Sequence, residues 1–312
     1  MTAVLHLYDG STAVLPVLTE WQLDYTTGVP ADAFRLRFPC GSETAGILGK
    51  AVTFTGTEDG DTVFTGVVDE YALTWDGDGA AAGITGRGMA ARLLDNEAQA
   101  QDYTALTTAQ LLRDHVTPYG ITTADAGNLS AVTDFSVSSG SSEWSVLYEF
   151  ARYYNGVTPW FDRLGQLHLA EYEGESALLL DGSVPLTALE YRETRYGVLS
   201  SVIVQAKNQL YSAEVTNDAF LAQGGCARQV ITMPTNASYQ ALRYSGQYQL
   251  DESEAERYRL TAEIAVPFWG QPGDRVTVNL PRAGLSGEWK ILTCSVRFDA
   301  DGARSVVTMG AG

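Results

Sequence analysis

The chain has 312 residues, with 20 Lys and Arg against 38 Asp and Glu, and its formal charge is −18. Apolar residues make up 45% and charged residues 19%, which is typical of a globular protein with a sizeable core and excludes a disordered tail or a coiled coil. The length predicts about two domains. Nucleic-acid backbones and anionic membranes are bound by clustered Lys and Arg, and the sequence has no such cluster, so we expect no specific binding to either.

The cysteines Cys40, Cys226 and Cys294 lie far apart and no C-x-x-C spacing occurs. This pattern predicts free thiols in a reducing compartment and no structural zinc site. No basic segment followed by an apolar one stands at the N-terminus, so no signal peptide is expected. No apolar run approaches 18 residues, so no transmembrane helix is expected either.

Residues 1–88 are predicted to form a first small β-barrel. Short runs rich in Val, Thr, Phe and Leu alternate with Gly, Asp and Pro, as in antiparallel β-structure. The predicted strands are Thr12–Leu18, Phe34–Phe38, Ala51–Thr57, Thr62–Trp75 and Ala81–Gly86. Asp59-Gly60 and Asp76-Gly77 are typical of hairpin turns.

Residues 89–185 are predicted to form an inserted α/β unit with three helices and a hairpin. Met89–Ala98 consists of helix formers, Thr107 with Gln110 matches a capping box, and a third helix is expected to begin near Ser142. We expect Leu112 and Leu147 to pack these helices against the barrels. A hairpin is expected over residues 160–170.

Residues 186–312 return to strand-like runs and are predicted to form a second β-barrel. The clearest strands are Ser201–Ala206, Gln229–Met233, Arg275–Leu280, Lys290–Phe298 and Ser305–Met309. Asp251–Ala262 has a weak helical pattern.

Two stretches recur in the same order, which indicates that the second barrel is a copy of the first. The match pairs Val52 with Val276 at an offset of 224, and it pairs Trp75 with Phe298 and Ile84 with Val307 at 223. If the copies are real, these side chains point into their own barrels, and Asp76–Gly79 and Asp299–Gly302 are equivalent hairpin tips. The alternative is that hairpins with Asp-Gly turns look alike by chance. The predicted fold class is therefore mainly β (α+β), with two similar β-barrel domains and an inserted helical and hairpin unit.

Three local motifs suggest ligand binding only superficially. Gly86–Ala91 fits G-x-G-x-x-A, but no second parallel strand follows, so a chance turn is favoured over a dinucleotide site. Gly46–Lys50 lacks the spacing of a phosphate-binding loop. The two Asp-x-Asp motifs, Asp76 with Asp78 and Asp299 with Asp301, are interpreted as turn tips rather than calcium-binding loops. In a calcium loop that began at Asp76, Arg87 would occupy the position that requires Glu.

No catalytic, cofactor-binding or metal-ligating residue is predicted. His6, His115 and His168 are isolated, and no nucleophile elbow or zinc-protease helix occurs. With 38 acidic residues, the sequence leaves open the possibility of a pair of catalytic carboxylates like that of a glycosidase. The alternative function is therefore a β-rich carbohydrate-binding or glycan-hydrolysing protein. Its stacking platforms would be Trp21, Trp75, Trp160, Trp269 and Trp289.

An ordered set of segments over residues 45–312 resembles the late control protein D family, the baseplate hub proteins of contractile phage tails. Ile84–Asp95 (ITGRGMAARLLD) resembles its strand, turn and first helix, and Thr107–Gly120 (TTAQLLRDHVTPYG) its second helix. Ser142–Phe161 with the following hairpin, and Pro272–Val276, resemble the third helix and the start of the last barrel.

The resemblance implies a structural, non-enzymatic hub protein without a cofactor. It implies a homotrimer whose six barrels adapt a sixfold tail tube, or tube-initiator protein, to a threefold central spike and line the channel. Other baseplate proteins would be further partners. The expected location is the baseplate of a virion tail, a tailocin or another contractile injection particle, assembled in the bacterial cytoplasm. The charge of −18 is consistent with a channel wall that repels phosphate. The alternative is that the charge only keeps the protein soluble.

Overall fold

The protein is mainly β, as predicted from the sequence, with 49% of residues in strands and 20% in helices. The structure, a computed structural model, describes residues 1–27, 32–77, 79–207, 212–233, 238–255 and 257–311. Asp78, which belongs to the predicted first hairpin tip, lies outside the described residues. No described helix is long and apolar enough to span a membrane.

The described part of the first 88 residues forms seven strands and one short helix. The strands are β1 Thr2–Leu7, β2 Thr12–Val14, β3 Glu20–Thr26, β4 Ala33–Pro39, β5 Ala51–Glu58, β6 Asp61–Asp76 and β7 Gly79–Gly88, and helix α1 spans Ser42–Leu48. We call β1 and β3–β7 the first repeat. Their order in the sheet is β3-β4-β7-β6-β5-β1, with every pair antiparallel.

The second repeat consists of six strands from the C-terminal half of the chain. They are β13 Ser176–Leu180, β14 Leu186–Glu193, β18 Tyr258–Ile264, β19 Arg275–Leu280, β20 Leu285–Asp299 and β21 Gly302–Ala311. Their order, β14-β18-β21-β20-β19-β13, reproduces the first repeat strand for strand. Only the last strand differs in direction, because β13 runs parallel to β19 whereas β1 runs antiparallel to β5.

The two repeats are joined edge to edge into one 13-stranded sheet by pairing of β20 with β3. A single apolar core runs under both repeats and contains Leu23, Phe34, Phe54, Val276 and Val296. Strand β13, expected within the inserted unit, belongs by its pairing to the second repeat.

The predicted equivalence of Val52 and Val276 is wrong by two residues. Thr53 lies opposite Val67 and Arg275 lies opposite Lys290, so the hairpins align Phe54 with Val276. Phe54 and Val276 are both fully buried, whereas Val52 is 37% exposed. A shift of two residues keeps the same strand face, so the sequence pattern did not distinguish the two registers.

The other two predicted equivalences, Ile84 with Val307 and Trp75 with Phe298, are correct in their strand positions. Ile84 and Val307 are both fully buried. Trp75 lies opposite Ala80 as Phe298 lies opposite Ala303. The expectation that Trp75 and Phe298 are buried in their own barrels is wrong, because Trp75 is 71% exposed and Phe298 is 37% exposed.

The inserted unit between the repeats has its own core. Its elements are α2 Ala91–Leu94, β8 Gln101–Leu106, α3 Thr108–His115, β9 Thr123–Asp125, β10 Val132–Val137, α4 Glu143–Tyr148, β11 Trp160–Phe161 and β12 Leu167–His168; a π-helical segment, Glu149–Tyr154, continues α4. The predicted capping box of Thr107 and Gln110 is present, and Ser142 caps α4. The predicted first helix is much shorter than Met89–Ala98.

The buried face of α3 differs from the predicted one. Leu111 and His115 are buried, whereas Leu112 is only partly buried. Leu111 and Leu147 pack within the core of the inserted unit rather than between this unit and the repeats. The phase of a short helix with apolar residues on two sides is not fixed by the pattern alone.

A second small unit, which we call the three-stranded unit, lies between β14 and β18, where one uniform barrel was expected. It consists of β15 Ser201–Ala206, β16 Ser212–Thr216, α5 Asp218–Ala222, β17 Arg228–Met233 and α6 Tyr239–Ala255. Helix α6 covers the sheet, with Ala241 and Leu242 packed among Val202, Val204 and Val215 in a separate core. The predicted helix over Asp251–Ala262 is in fact the end of α6 followed by β18.

Candidate assembly interface

Several strand edges of the continuous sheet have no partner among the described residues, and two of them are counterparts of edges that are paired inside the chain. Strand β14 pairs only with β18, and the second half of β6, from Val68 on, pairs only with β7. The corresponding half of β20 pairs with β21 on one side and with β3 on the other. The junction inside the chain therefore shows what these two open edges would look like if they were joined.

The register of the internal junction assigns a counterpart to each residue of the open edges. Phe298 lies opposite Trp21, and Val296 lies opposite Leu23. On β6 the counterparts of Phe298 and Val296 are Trp75 and Leu73. On β14 the counterparts of Trp21 and Leu23 are Leu189 and Tyr191. Their positions opposite β18 are equivalent to the positions of Trp21 and Leu23 opposite β4.

Two side chains that are buried at the internal junction have exposed counterparts at the open edges, whereas Leu73 and Leu189, the counterparts of Val296 and Trp21, are partly buried against the main core. Leu23 is fully buried, whereas its counterpart Tyr191 is 46% exposed. Cys294 is 1% exposed and burial raises the pKa of its thiol to about 12, whereas its counterpart Tyr71 is 45% exposed. Exposed edges bearing apolar side chains favour pairing with another strand.

The aromatic contacts at the internal junction show how such an edge is closed. Trp21 stacks on Phe298 with ring centroids 6.2 Å apart, and on Trp269 at 5.7 Å. Arg163 of the inserted unit donates a hydrogen bond to the carbonyl of Trp269 and lies over the ring of Tyr25. The junction is therefore supported from both repeats and from the inserted unit.

The face of the sheet opposite the core is polar and concave. A cavity of about 530 Å³ crosses five strands there and is lined by Gln22, Arg35, Arg37, Glu70 and Arg297, among others. Arg87, at the end of β7, binds the carboxylates of Asp69 and Asp95 at 2.7 and 2.6 Å. Its hydrogen bonds lower the pKa of Asp95.

Four of the five tryptophans proposed as sugar platforms are packed within the protein. Trp21 and Trp289 are buried, and Trp269 packs against the main core. Trp160 stacks on His168 at 4.0 Å and donates its indole N–H to the carbonyl of Ala170. Trp75 alone of the five is largely exposed, and it stands on the open edge of β6.

The three histidines lie apart in structural contacts. His6 bonds the hydroxyl of Thr55 at 3.0 Å, and His168 bonds Asp162 at 3.0 Å. His115 is buried, with Nδ1 2.6 Å from Glu143, a partner that sequence reasoning missed because it is 28 residues away. The described residues contain no cluster of three or more His, Cys, Asp or Glu able to hold a metal ion.

The glycine motif at Gly86 has a packing role. Gly86 lies inside β7, where a Cβ would stand 2.0 Å from the carbonyl oxygen of Val67 and 2.5 Å from the ring of Phe34. The close approach explains the glycine without a nucleotide. At the second hairpin tip, the Asp299 carboxylate accepts the backbone N–H of Asp301 and a bond from Arg304, which lower its pKa.

The fold matches those of tail proteins of known structure. The chain is similar to a tail protein from Neisseria meningitidis MC58, with 18% identity, a TM-score of 0.79 and coverage of 99% of this chain and 96% of that one. It is also similar to the 43 kDa tail protein of prophage MuSo2 from Shewanella oneidensis, with 18% identity, a TM-score of 0.75 and coverage of 99% and 98%.

A third similar structure is an E. coli component of the type VI secretion system described as similar to the bacteriophage T4 tail proteins gp27 and gp5. It has 11% identity, a TM-score of 0.56 and coverage of 95% of this chain and 73% of that one. No family model and no curated protein sequence matches the chain. The fold expected from the resemblance to phage tail proteins is thus confirmed.

Proposed function

We propose that this protein is a structural hub of a contractile phage tail or a related injection particle, and that it acts as a ring of three chains. The observation that carries the proposal is the repeated junction. The edge of β14 and the second half of β6 are the counterparts of β3 and β20, which pair inside the chain. Pairing β14 of one chain with β6 of the next would repeat the internal junction between chains.

In this pairing, one edge of a chain contacts a different edge of the next chain. Such head-to-tail pairing closes into a ring only if the rotation between successive repeats is a whole-number fraction of a full turn. The resemblance to hub proteins supplies the number: six repeats from three chains. Each repeat would then present the same strands to a sixfold tube. The proposal also retains the division expected from the sequence, two similar β domains separated by an inserted unit.

The elements that occur once per chain would give the ring its threefold character. These are the inserted unit and the three-stranded unit, each of which occurs once among the described residues. A threefold spike would dock against these single-copy elements, and other baseplate proteins around them. We place the ring in the baseplate of the particle, assembled in the host cytoplasm, and assign it no catalytic role and no cofactor.

Disulfide cross-linking tests the ring. Arg297 lies opposite Gln22 at the internal junction. Their counterparts are Thr74 and Glu190, so Thr74→Cys with Glu190→Cys places two cysteines opposite each other between chains, within disulfide reach. The background carries Cys40→Ser and Cys226→Ser. Oxidation is expected to give a ladder that stops at about 101 kDa, three times 33.6 kDa.

The control pair is Ala72→Cys with Ala188→Cys, which the same register places four residues apart, about 13 Å, beyond disulfide reach. This pair should give no ladder. A ladder that ends at two chains, or continues past three, contradicts the trimer. Equal cross-linking of both pairs contradicts the proposed register.

A further inference from the structure

The concave face carries an unusual share of the chain's positive charge. Seven of its 20 basic residues are arginines on this face of the eight strands β3, β4, β6, β7, β14, β18, β20 and β21. They are Arg35, Arg37, Arg87, Arg192, Arg259, Arg297 and Arg304. Each alternates along its strand with a residue that faces the core.

Eight described carboxylates stand on the same face, and Lys290 on β20 adds an eighth positive charge, so the described charges there cancel. The carboxylates are Glu20, Asp24, Asp69, Glu70, Glu190, Glu263, Glu288 and Asp299. The chain as a whole carries −18, so nearly all of its excess negative charge lies elsewhere. The sequence-based expectation of an acidic channel wall does not describe this surface.

Arg87 and four other arginines form ion pairs with carboxylates of the same face. Arg37 lies 3.9 Å from Glu20, and Arg297 lies 3.8 Å from Glu263. Tighter pairs join Arg192 to Glu190 at 2.6 Å and Arg304 to Asp299 at 2.5 Å. Arg35, in the middle of the cavity of about 530 Å³, is exposed and makes no ion pair with the described residues.

Unpaired arginines on a concave surface are the usual chemistry for holding a nucleic-acid backbone. We propose that the concave face is a latent polyanion-binding surface, and that its own carboxylates occupy the arginines so that nucleic acid moving along it is not retained. The face lines a channel only if the proposed ring forms. The balance of charge, however, is a property of each chain.

The test removes carboxylates from the concave face and measures binding of a fluorescent DNA duplex of about 30 base pairs at about 50 mM NaCl by anisotropy. The face variant is Glu20→Gln, Glu70→Gln and Glu263→Gln in the full-length chain. The matched control, Glu43→Gln, Asp102→Asn and Glu173→Gln, has the same net charge but removes exposed carboxylates outside the face. Thermal unfolding verifies that both variants are folded.

We expect no saturable binding by the wild type or the control, and an affinity at least tenfold higher for the face variant. That affinity should fall steeply as NaCl rises to about 200 mM. Adding Arg35→Gln and Arg37→Gln to the face variant should abolish the gain. Saturable binding by the wild type, an equal gain in the control, or no gain in the face variant would overturn the proposal. Cross-linking through Thr74→Cys and Glu190→Cys reports the ring separately, so each proposal fails on its own result.

Discussion

Asp69 and Leu292 occupy the same place in the two repeats: each is the extra residue of a bulge in its long strand. In β6 the register passes from Val68 to Glu70, and in β20 it passes from Ile291 to Thr293. Both bulges lie just beyond the point where the neighbouring strand, β5 or β19, stops pairing. A bulge bends and twists its strand. Each long strand therefore stops pairing with one neighbour at the bulge, and its second half is free to pair with a different strand.

Trp75→Glu should abolish ring assembly without destabilising the single chain. At 71% exposure its replacement should change the free energy of unfolding by about 0.5 kcal/mol or less. In the ring it would lie against Leu189 of the next chain, where a buried unpaired carboxylate is costly. Mass photometry should show the trimer lost.

Tyr8→Glu is the matched control for this change, because Tyr8 is an aromatic residue 70% exposed in the turn between β1 and β2. It should leave assembly unchanged. A trimer that survives Trp75→Glu, or is lost equally with Tyr8→Glu, contradicts the proposed edge.

Leu111 and Leu112 should differ sharply in their importance, although they are adjacent. Leu111 is fully buried in the core of the inserted unit, so Leu111→Ala should cost about 2–5 kcal/mol of unfolding free energy. Leu112 is only partly buried, and Leu112→Ala should cost about 1 kcal/mol. Chemical denaturation measures both, and the opposite ranking would show that the phase of α3 is wrong.

The buried pair of His115 and Glu143 should be energetically coupled. Glu143 also accepts a bond from Tyr119 at 2.6 Å, and this bond raises the pKa of Tyr119 to about 12. Glu143→Ala would leave both partners without an acceptor, at a cost of about 3 kcal/mol.

A double-mutant cycle with His115→Ala isolates the pairwise contribution. We expect a coupling of about 1–3 kcal/mol in the free energy of unfolding. Additive effects of the two substitutions would show that the contact contributes nothing beyond its separate parts.

Asp32 should make stability depend on pH. Burial raises its pKa from 3.8 to about 6, so its neutral form is favoured in the folded chain. The associated stability is complete below about pH 4 and is lost as the pH rises through about 6.

Asp32→Asn should therefore be more stable than the wild type at pH 7.5, by about 1–2 kcal/mol, and equal to it near pH 3.5. The amide oxygen can still accept the backbone N–H of Thr26, which Asp32 accepts at 2.8 Å. Thermal unfolding from pH 3.5 to 7.5 measures the difference, with Asp102→Asn as the control for removing a charge alone. A difference that does not change with pH contradicts the account.

Local signals in the sequence determined several elements directly. The capping box at Thr107, the cap at Ser142 and the long strand of residues 61–76 follow from hydrogen-bonding groups and β-formers close together in the chain. The repeat was also visible, because both hairpins from the long strands retain an Asp at the tip and apolar residues at Ile84 and Val307. These features need only neighbours within a few residues.

Tertiary structure decided what depends on distant partners. It set the register that pairs Phe54, rather than Val52, with Val276, since a two-residue slip leaves the same face inward. It brought Glu143 to His115 across 28 residues. It left Trp75 exposed and its counterpart Phe298 stacked on Trp21, because β3 covers the edge of β20 and no described strand covers the second half of β6. Burial of an edge depends on which strand lies beside it, and the local sequence of the edge does not encode that neighbour.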